Sequence, residues 1–357
     1  MAYSNTTGET TINVDQLISY AFREAGKTAE EMTPELVGAA KQALFYNLQN
    51  LSNRGVNLWL LENILLGAQT DQQILTLPKT TIDIREANWV YVVNMPPTAA
   101  LPLDNVNSPV LFSQELPPSV YATSTLSENW FGAAYSPEQR VFYVGFNAYS
   151  PGSPTTYNLV YETSYDGVTW ENAQTLPATT LNDYQWAYFN VNITQPYPYY
   201  RLRNTNTANT FSLRQIVFSQ SQQVIPLARL NRDDYWNLPN KQFPSVRSLQ
   251  YWFDRTIEPS MYLWPVPNNN FQMFQLIIEK QMMDVGSLTN QIYVPDRWIN
   301  CVQKQLSHSL SMQLPSIDIN RIQYLELQAE KAFQQAADED RDKSPIYFQP
   351  NISYYTR

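Results

Sequence analysis

The stretch from Leu227 to Trp298, with the proline before it, decides how this chain is read. It runs P-L-A-R-L-N-R-D-D-Y-W-N-L-P-N-K (Pro226–Lys241), then Q-Y-W-F-D-R (Gln250–Arg255), M-Y-L-W-P-V-P (Met261–Pro267) and V-P-D-R-W (Val294–Trp298). Ser248–Phe253, Met261–Trp264 and Gln272–Lys280 have the composition of strands, with M-Y-L-W-P-V-P expected in a core. The pattern then changes period. Trp298, Val302, Leu306 and Leu310 recur four residues apart, and Pro315 stops the run, which predicts a helix over Pro295–Gln313. A longer helix is expected over Ile317–Asp342, using Ile322, Leu325, Leu327, Ala329, Ala332 and Phe333. Its small residues Ala332, Ala336 and Ala337 permit close helix approach.

Towards the N-terminus, Asn13 can cap a helix whose Val14, Leu17, Ile18, Ala21 and Phe22 share one face, with Gly26 as its end. Thr33-Pro34-Glu35 supplies a cap, a proline at the first helical position and an acid in the first turn. Leu36, Val37, Ala40, Leu44, Leu48 and Leu51 follow at helical spacing up to Gly55. Such a hairpin must bury its apolar stripe against another element. After Trp59, Gln73–Leu77, Thr81–Ile84 and Trp89–Val93 read as strands.

From about Asn105 to Gln222 helical periodicity vanishes. Val141–Phe146, Tyr157–Thr163, Tyr184–Val191, Tyr199–Arg203 and Phe211–Phe218 are short β-type runs between Asn-, Ser- and Pro-rich loops, which predicts an all-β sandwich. Ser164–Trp170 (S-Y-D-G-V-T-W) is a tight Asp-Gly turn before a large apolar anchor. P-Y-Y-R-L-R-N (Pro198–Asn204) and F-S-L-R-Q-I-V-F (Phe211–Phe218) resemble the closing strands of discoidin-like jelly rolls.

Composition sets bounds. At 357 residues the chain exceeds one ordinary core, and two folded units are expected. Charged residues are only 15%, while Tyr and Pro number 24 each and Trp 9. Low charge with many aromatics fits surfaces hidden in an assembly. The net charge of -9 argues against a phosphate-gripping surface and suits a channel wall that repels passing DNA. The single cysteine, Cys301, excludes an intrachain disulfide and any multi-cysteine metal site. No signal peptide is readable, and Leu58–Leu66 is far too short to span a bilayer, so a soluble protein without membrane contact is expected.

No residue pattern indicates catalysis. His308 is the only histidine; its neighbours Ser307 and Ser309 point to other helix faces, so no Ser-His pair forms locally. Asp338-Glu339-Asp340-Arg341-Asp342 lacks the Gly and closing Glu of a calcium loop and reads as a solvated helix end. Asp233-Asp234 reads as a turn or helix cap. No phosphate-loop, dinucleotide or zinc motif occurs. The expectation is no catalytic, metal or cofactor site. The tail S-P-I-Y-F-Q-P-N-I-S-Y-Y-T-R is aromatic, and Tyr347, Phe348, Tyr354, Tyr355 and Arg357 are its candidate partner-binding residues.

Taken together, Arg229, Asp234, Tyr235, Pro239, Lys241, Tyr251, Phe253, Asp254, Arg255, Tyr262, Trp264, Pro265, Pro267, Pro295, Arg297 and Trp298 resemble, in order and spacing, the head-to-tail adaptor (connector) proteins of short-tailed bacteriophages, the tail tubular protein A type. The resemblance covers Met1–Val106 and Val224–Arg357. It departs from the family where a β-module of about 115 residues precedes Leu227-x-Arg229-x-x-Arg232-x-x-Tyr235, an insertion that costs little if the module's ends lie close together. The fold class expected is α+β. A helical-bundle core with a small β-sheet spans 1–106 and 223–343. An inserted all-β sandwich, jelly-roll or Ig-like, spans 107–222, and a docking tail spans 344–357. The resemblance implies a structural virion protein at the head–tail junction, assembled in the host cytoplasm into a ring of twelve copies between the portal protein and the tail tube or nozzle protein. That ring extends the DNA channel, without sequence-specific DNA binding, and helps retain and eject the genome. The tail would engage the portal, and the insertion would face a tail fibre. Alternatives are a carbohydrate-binding or fibre-anchoring tail protein, or a peptidoglycan hydrolase.

Overall fold

The computed structural model describes residues 12–28, 31–54, 58–93, 96–101, 110–112, 121–192, 195–206, 209–221 and 223–340. The chain divides into two compact units, Met1–Leu61 with Gln281–Arg357, and Glu62–Lys280.

The first unit is helical. α1 (Val14–Ala25) begins where the Gln16 side chain accepts the Asn13 amide at 3.2 Å. It ends at Gly26, whose φ of +101° lets its N–H reach the Phe22 carbonyl. α2 (Pro34–Asn53) is capped by the Thr33 hydroxyl, which accepts the Leu36 amide at 3.3 Å. α4 (Asp296–Gln313) packs against α1, α2 and α5 (Ile319–Glu339), and buries the predicted stripe Trp298, Val302, Leu306 and Leu310. The Trp298 ring lies 5.2 Å from Trp59 and 5.9 Å from Phe333. α5 turns Leu325, Ala329, Ala332 and Ala336 inward, but Leu327, expected on the packed face, is 66% exposed.

The second unit is β. Its chain enters through β1 (Leu61–Ala68), β2 (Ile74–Thr76) and β3 (Thr81–Val90). The module follows with β4 (Ala99–Leu101), β5 (Ala122–Thr123), β6 (Trp130–Gln139), β7 (Tyr143–Ala148), β8 (Thr155–Tyr157), β9 (Leu159–Ser164) and β10 (Glu171–Thr175). It closes with β11 (Thr179–Leu181), β12 (Trp186–Asn190), β13 (Tyr197–Asn204) and β14 (Ser212–Ser219). The return passes through β15 (Val224–Pro226), β16 (Ala228–Leu230), the short helix α3 (Arg232–Trp236) and β17 (Pro244–Ser245). It finishes with β18 (Gln250–Asp254), β19 (Ser260–Trp264), β20 (Val266–Pro267) and β21 (Gln272–Lys280).

Within the module, the sheet β10-β9-β13-β6-β4 faces the sheet β12-β7-β14-β5. Alternate residues of both fill one core, including Phe131, Tyr161 and Tyr200 from the first and Phe146, Phe189 and Phe218 from the second. The flanking segments build two further four-stranded sheets, β1-β21-β3-β15 and β16-β18-β19-β2, around Trp89, Tyr251, Met261, Leu263 and Phe274. A smaller cluster, with Val90, Phe271 and Met273 from this frame and Trp186, Tyr188 and Val217 from the module, packs the two together. The module's ends meet: β15 pairs with β3 at Val224 and Val90, and the Gln220 amide donates to the Val93 carbonyl at 3.1 Å.

The expected helical-bundle core with a small sheet is therefore corrected. Strand outweighs helix, 37% to 27%, and the flanks contribute eight paired strands in two four-stranded sheets. The cause is pairing between residues far apart in sequence, such as Phe274 with Trp89 and Met261 with Leu75, which draws both flanks into the β unit.

Candidate functional site

The landmarks of the Leu227–Trp298 segment hold structure together. Arg229 donates to Asp83 at 2.8 Å and to the Ile84 carbonyl at 3.1 Å, and Arg255 donates to the same carboxylate. Burial works to raise the Asp83 pKa, but hydrogen bonds from Arg229 and the Ile84 amide outweigh it and hold the carboxyl below its usual range. The Gln73 amide donates to the Tyr235 hydroxyl at 2.6 Å, and Lys241 donates to the Trp236 carbonyl at 3.0 Å. The Asn231 side chain caps α3 by accepting the Asp234 amide at 2.8 Å, so Asp233-Asp234 lies in a helical first turn. In the helical unit Arg297 pairs with Asp340, whose side chain is 1% exposed.

A denser polar and aromatic cluster occupies the outer face of the β10-β9-β13-β6-β4 sheet. On β13, Tyr199, Arg201 and Arg203 alternate with the buried Tyr200 and Leu202 and so point outward. Arg201 Nε donates to Glu162 at 2.6 Å, and Arg203 Nη2 donates to the same carboxylate at 2.7 Å. Burial raises the Glu162 pKa, yet the hydrogen bonds from Arg203 and Arg201 leave it below the ordinary glutamate value. The Arg201 guanidinium lies 4.2 Å from the Trp170 ring centre and 5.2 Å from that of Trp130. The Asp-Gly turn sets Trp170 in place: the Asp166 carboxylate accepts the amides of Val168 at 2.8 Å and Thr169 at 2.7 Å, while Gly167 takes φ +74°. Opposite Arg201 stands Gly132, where a side chain would strike the Tyr200 carbonyl at 2.3 Å.

Elsewhere on the module, Tyr121 stacks on Tyr149 with ring centres 3.5 Å apart. Arg214 lies 3.7 Å from the Tyr184 ring centre and pairs with Asp183 at 2.9 Å. Tyr184 is held at φ +64°, with its carbonyl accepting Gln69 and Asn147 side-chain amides. A groove of about 650 Å³ runs beside β12, lined by Leu65, Leu75, Gln69, Gln185, Trp186 and Tyr188 among others, with no charged side chain among the described residues of its wall.

Of the residues predicted as a partner site, Tyr347, Phe348, Tyr354, Tyr355 and Arg357 lie outside the described residues. His308 is half-buried on α4, and its neighbours are engaged elsewhere: Ser307 donates to Glu24 at 2.7 Å and Ser309 to Asn47 at 3.2 Å. Burial pushes the Cys301 thiol up to about 12. Among the described residues no group of three His, Cys, Asp or Glu side chains could hold a metal ion, and no helix is long and apolar enough to cross a membrane. The sheet-face cluster was not anticipated. Its Trp130, Glu162, Trp170 and Arg201 come from four separate segments, and only the turn before Trp170 had a local signal.

No family model and no curated protein matches the chain. Among solved structures it is similar to CBM32-1 from a family 31 glycoside hydrolase from Clostridium perfringens, at 13% identity and a TM-score of 0.26, over 42% of this chain and 96% of that one. A glycoside hydrolase is similar at 12% identity and a TM-score of 0.21, over 38% of this chain and 31% of that one.

Proposed function

We propose that this chain is a head-to-tail adaptor of a short-tailed bacteriophage, assembling with copies of itself into a ring between portal and tail tube or nozzle. One observation carries the reading. The residues on which the resemblance to the connector family rests, among them Arg229, Tyr235, Lys241, Arg255 and Arg297, are engaged in internal hydrogen bonds and ion pairs that brace the fold. A rigid part built to transmit load between neighbours needs such bracing. α5 adds a surface for a neighbouring copy, since Ile319, Tyr324 and Leu327 stand 67%, 59% and 66% exposed on one side of the helix.

The test is negative-stain imaging of the full chain mixed with portal rings of its virus. Capped portals are expected; portals left bare at saturating protein would refute the assignment. A second reading, carbohydrate binding by the β module, is favoured by the aromatic face around Arg201.

A further inference from the structure

Arg201 is organised as an anion receptor before any ligand arrives. Its Nε is fixed by Glu162 and its guanidinium carbon lies over the rings of Trp170 and Trp130, yet its terminal amino groups make no hydrogen bond among the described residues. Two guanidinium groups, Arg201 and Arg203, share the one carboxylate of Glu162, so these three side chains together carry one net positive charge in a chain of net charge -9. A rigid planar fork of donors suits a carboxylate held by two parallel bonds.

The surroundings set the rest of the ligand. Gly132 stands opposite Arg201 and Ala134 opposite Tyr199, and on the far side of β6 Ala99 lies beside Ala134 and Leu101 beside Gly132, so the strip of β6 next to the guanidinium is low and Leu101 bounds it. Trp130 and Trp170 rise at one end of this trough and Tyr199 at the other. Aromatic walls offer flat surfaces to the C–H face of a sugar ring. A neutral sugar would leave the surplus charge unmatched, and an acidic side chain of a peptide lacks the broad flat face that the walls accommodate.

We infer that this sheet face binds an acidic saccharide, with a sugar carboxylate at Arg201 and Arg203 and the pyranose ring against Trp130 and Trp170. The inference deepens the carbohydrate reading and stands independently of the adaptor assignment. Calorimetric titration of the full chain with a trisaccharide of galacturonic acid, a trisaccharide of galactose and a triglutamate peptide tests it. Binding of the galacturonate alone is expected, weakened about tenfold or more by Trp170→Ala and by Arg203→Gln. Trp170→Ala should stay close to the parent's unfolding temperature, because Trp170 follows an exposed turn, whereas Arg203→Gln takes one of two partners from the nearly buried Glu162 and is expected to unfold at a lower temperature while still folded at that of the assay. If Arg203→Gln unfolds, Trp170→Ala decides alone. Undiminished galacturonate binding by the variants, or triglutamate binding as tight as galacturonate, would overturn the inference. Binding of galactose alone would overturn it while sustaining the carbohydrate reading, and binding of neither sugar would sink both.

Discussion

Tyr188 sits in a slot made by two glycines, and replacing one of them should couple strongly to the ring. A methyl group on Gly145 would lie 2.4 Å from Tyr188 Cδ1, and one on Gly67 would lie 2.7 Å from Tyr188 Cε2 and 2.3 Å from Trp186 Cβ. Carbon atoms in contact rest about 3.5–4.0 Å apart, so Gly145→Ala requires the ring to move by about an ångström. Gly67 closes a second side of the ring, and the strain is expected to cost about 1–3 kcal/mol. Tyr188→Ala alone should cost about 3–5 kcal/mol, as for other buried aromatics. Once the ring is gone, Gly145→Ala has little to strike and regains about 0.5–1 kcal/mol from the stiffer backbone. The remaining 3.1 Å contact with the Ala187 carbonyl tempers that gain. The double-mutant cycle should therefore show a coupling of about 1.5–4 kcal/mol. Urea unfolding followed by tryptophan fluorescence measures it. Additivity within about 0.5 kcal/mol would show that the ring and Gly145 do not press on each other.

Tyr188→Phe should be neutral or stabilise by about 1 kcal/mol, because the buried hydroxyl has no partner among the described residues; a loss above that in urea would disprove it. Trp298→Ala should cost about 3–5 kcal/mol by urea unfolding monitored through helical circular dichroism, whereas Trp298→Phe, which keeps an aromatic beside Trp59 and Phe333, should lose clearly less. Asp83, Glu162 and Asp183 all have folded-state pKa values below their usual ones. The unfolded chain then binds more protons, so their stabilisation is present above the unfolded carboxylate range of about 4 and is lost as pH falls through the folded values. A melting temperature that stays flat below about pH 4 would contradict this, and Glu162→Gln should make the decline shallower. Cys301, buried with a thiol pushed to about 12, should react with a disulfide reagent only after denaturant is added; prompt labelling of native protein would refute its burial.

Local signals were legible where one segment carries its own answer. The cap Thr33-Pro34, the stop at Gly26 and the stripe Trp298–Leu310 each specify a helix from neighbours in sequence, and Gln272–Lys280 reads as a strand at its observed limits. β6 is not legible in the sequence, because Gly132, Ala133, Ala134 and Pro137 dilute its β-type residues. What could not be read was partnership. β21 is equally strand-like whether it completes a small sheet on a bundle or lies between β1 and β3, and only the latter makes the frame a β unit. The Arg201 cluster was hidden for the same reason, since cross-strand neighbours Arg201, Glu162 and Gly132 are fixed by register and not by spacing along the chain.

The pairing of Val224 with Val90, and of the Gln220 amide with the Val93 carbonyl, brings the two crossings into and out of the module side by side. A lineage could therefore exchange everything between these crossings in a single recombination event and keep the frame's hydrogen-bond ladder, closing the gap with a tight turn. Such a graft meets one toll: Val90, Phe271 and Met273 need a new apolar cover where Trp186 and Tyr188 now lie. An incoming domain that brings an aromatic edge strand to that spot inherits a ready socket, so surface specificity can be replaced without redesigning the scaffold beneath.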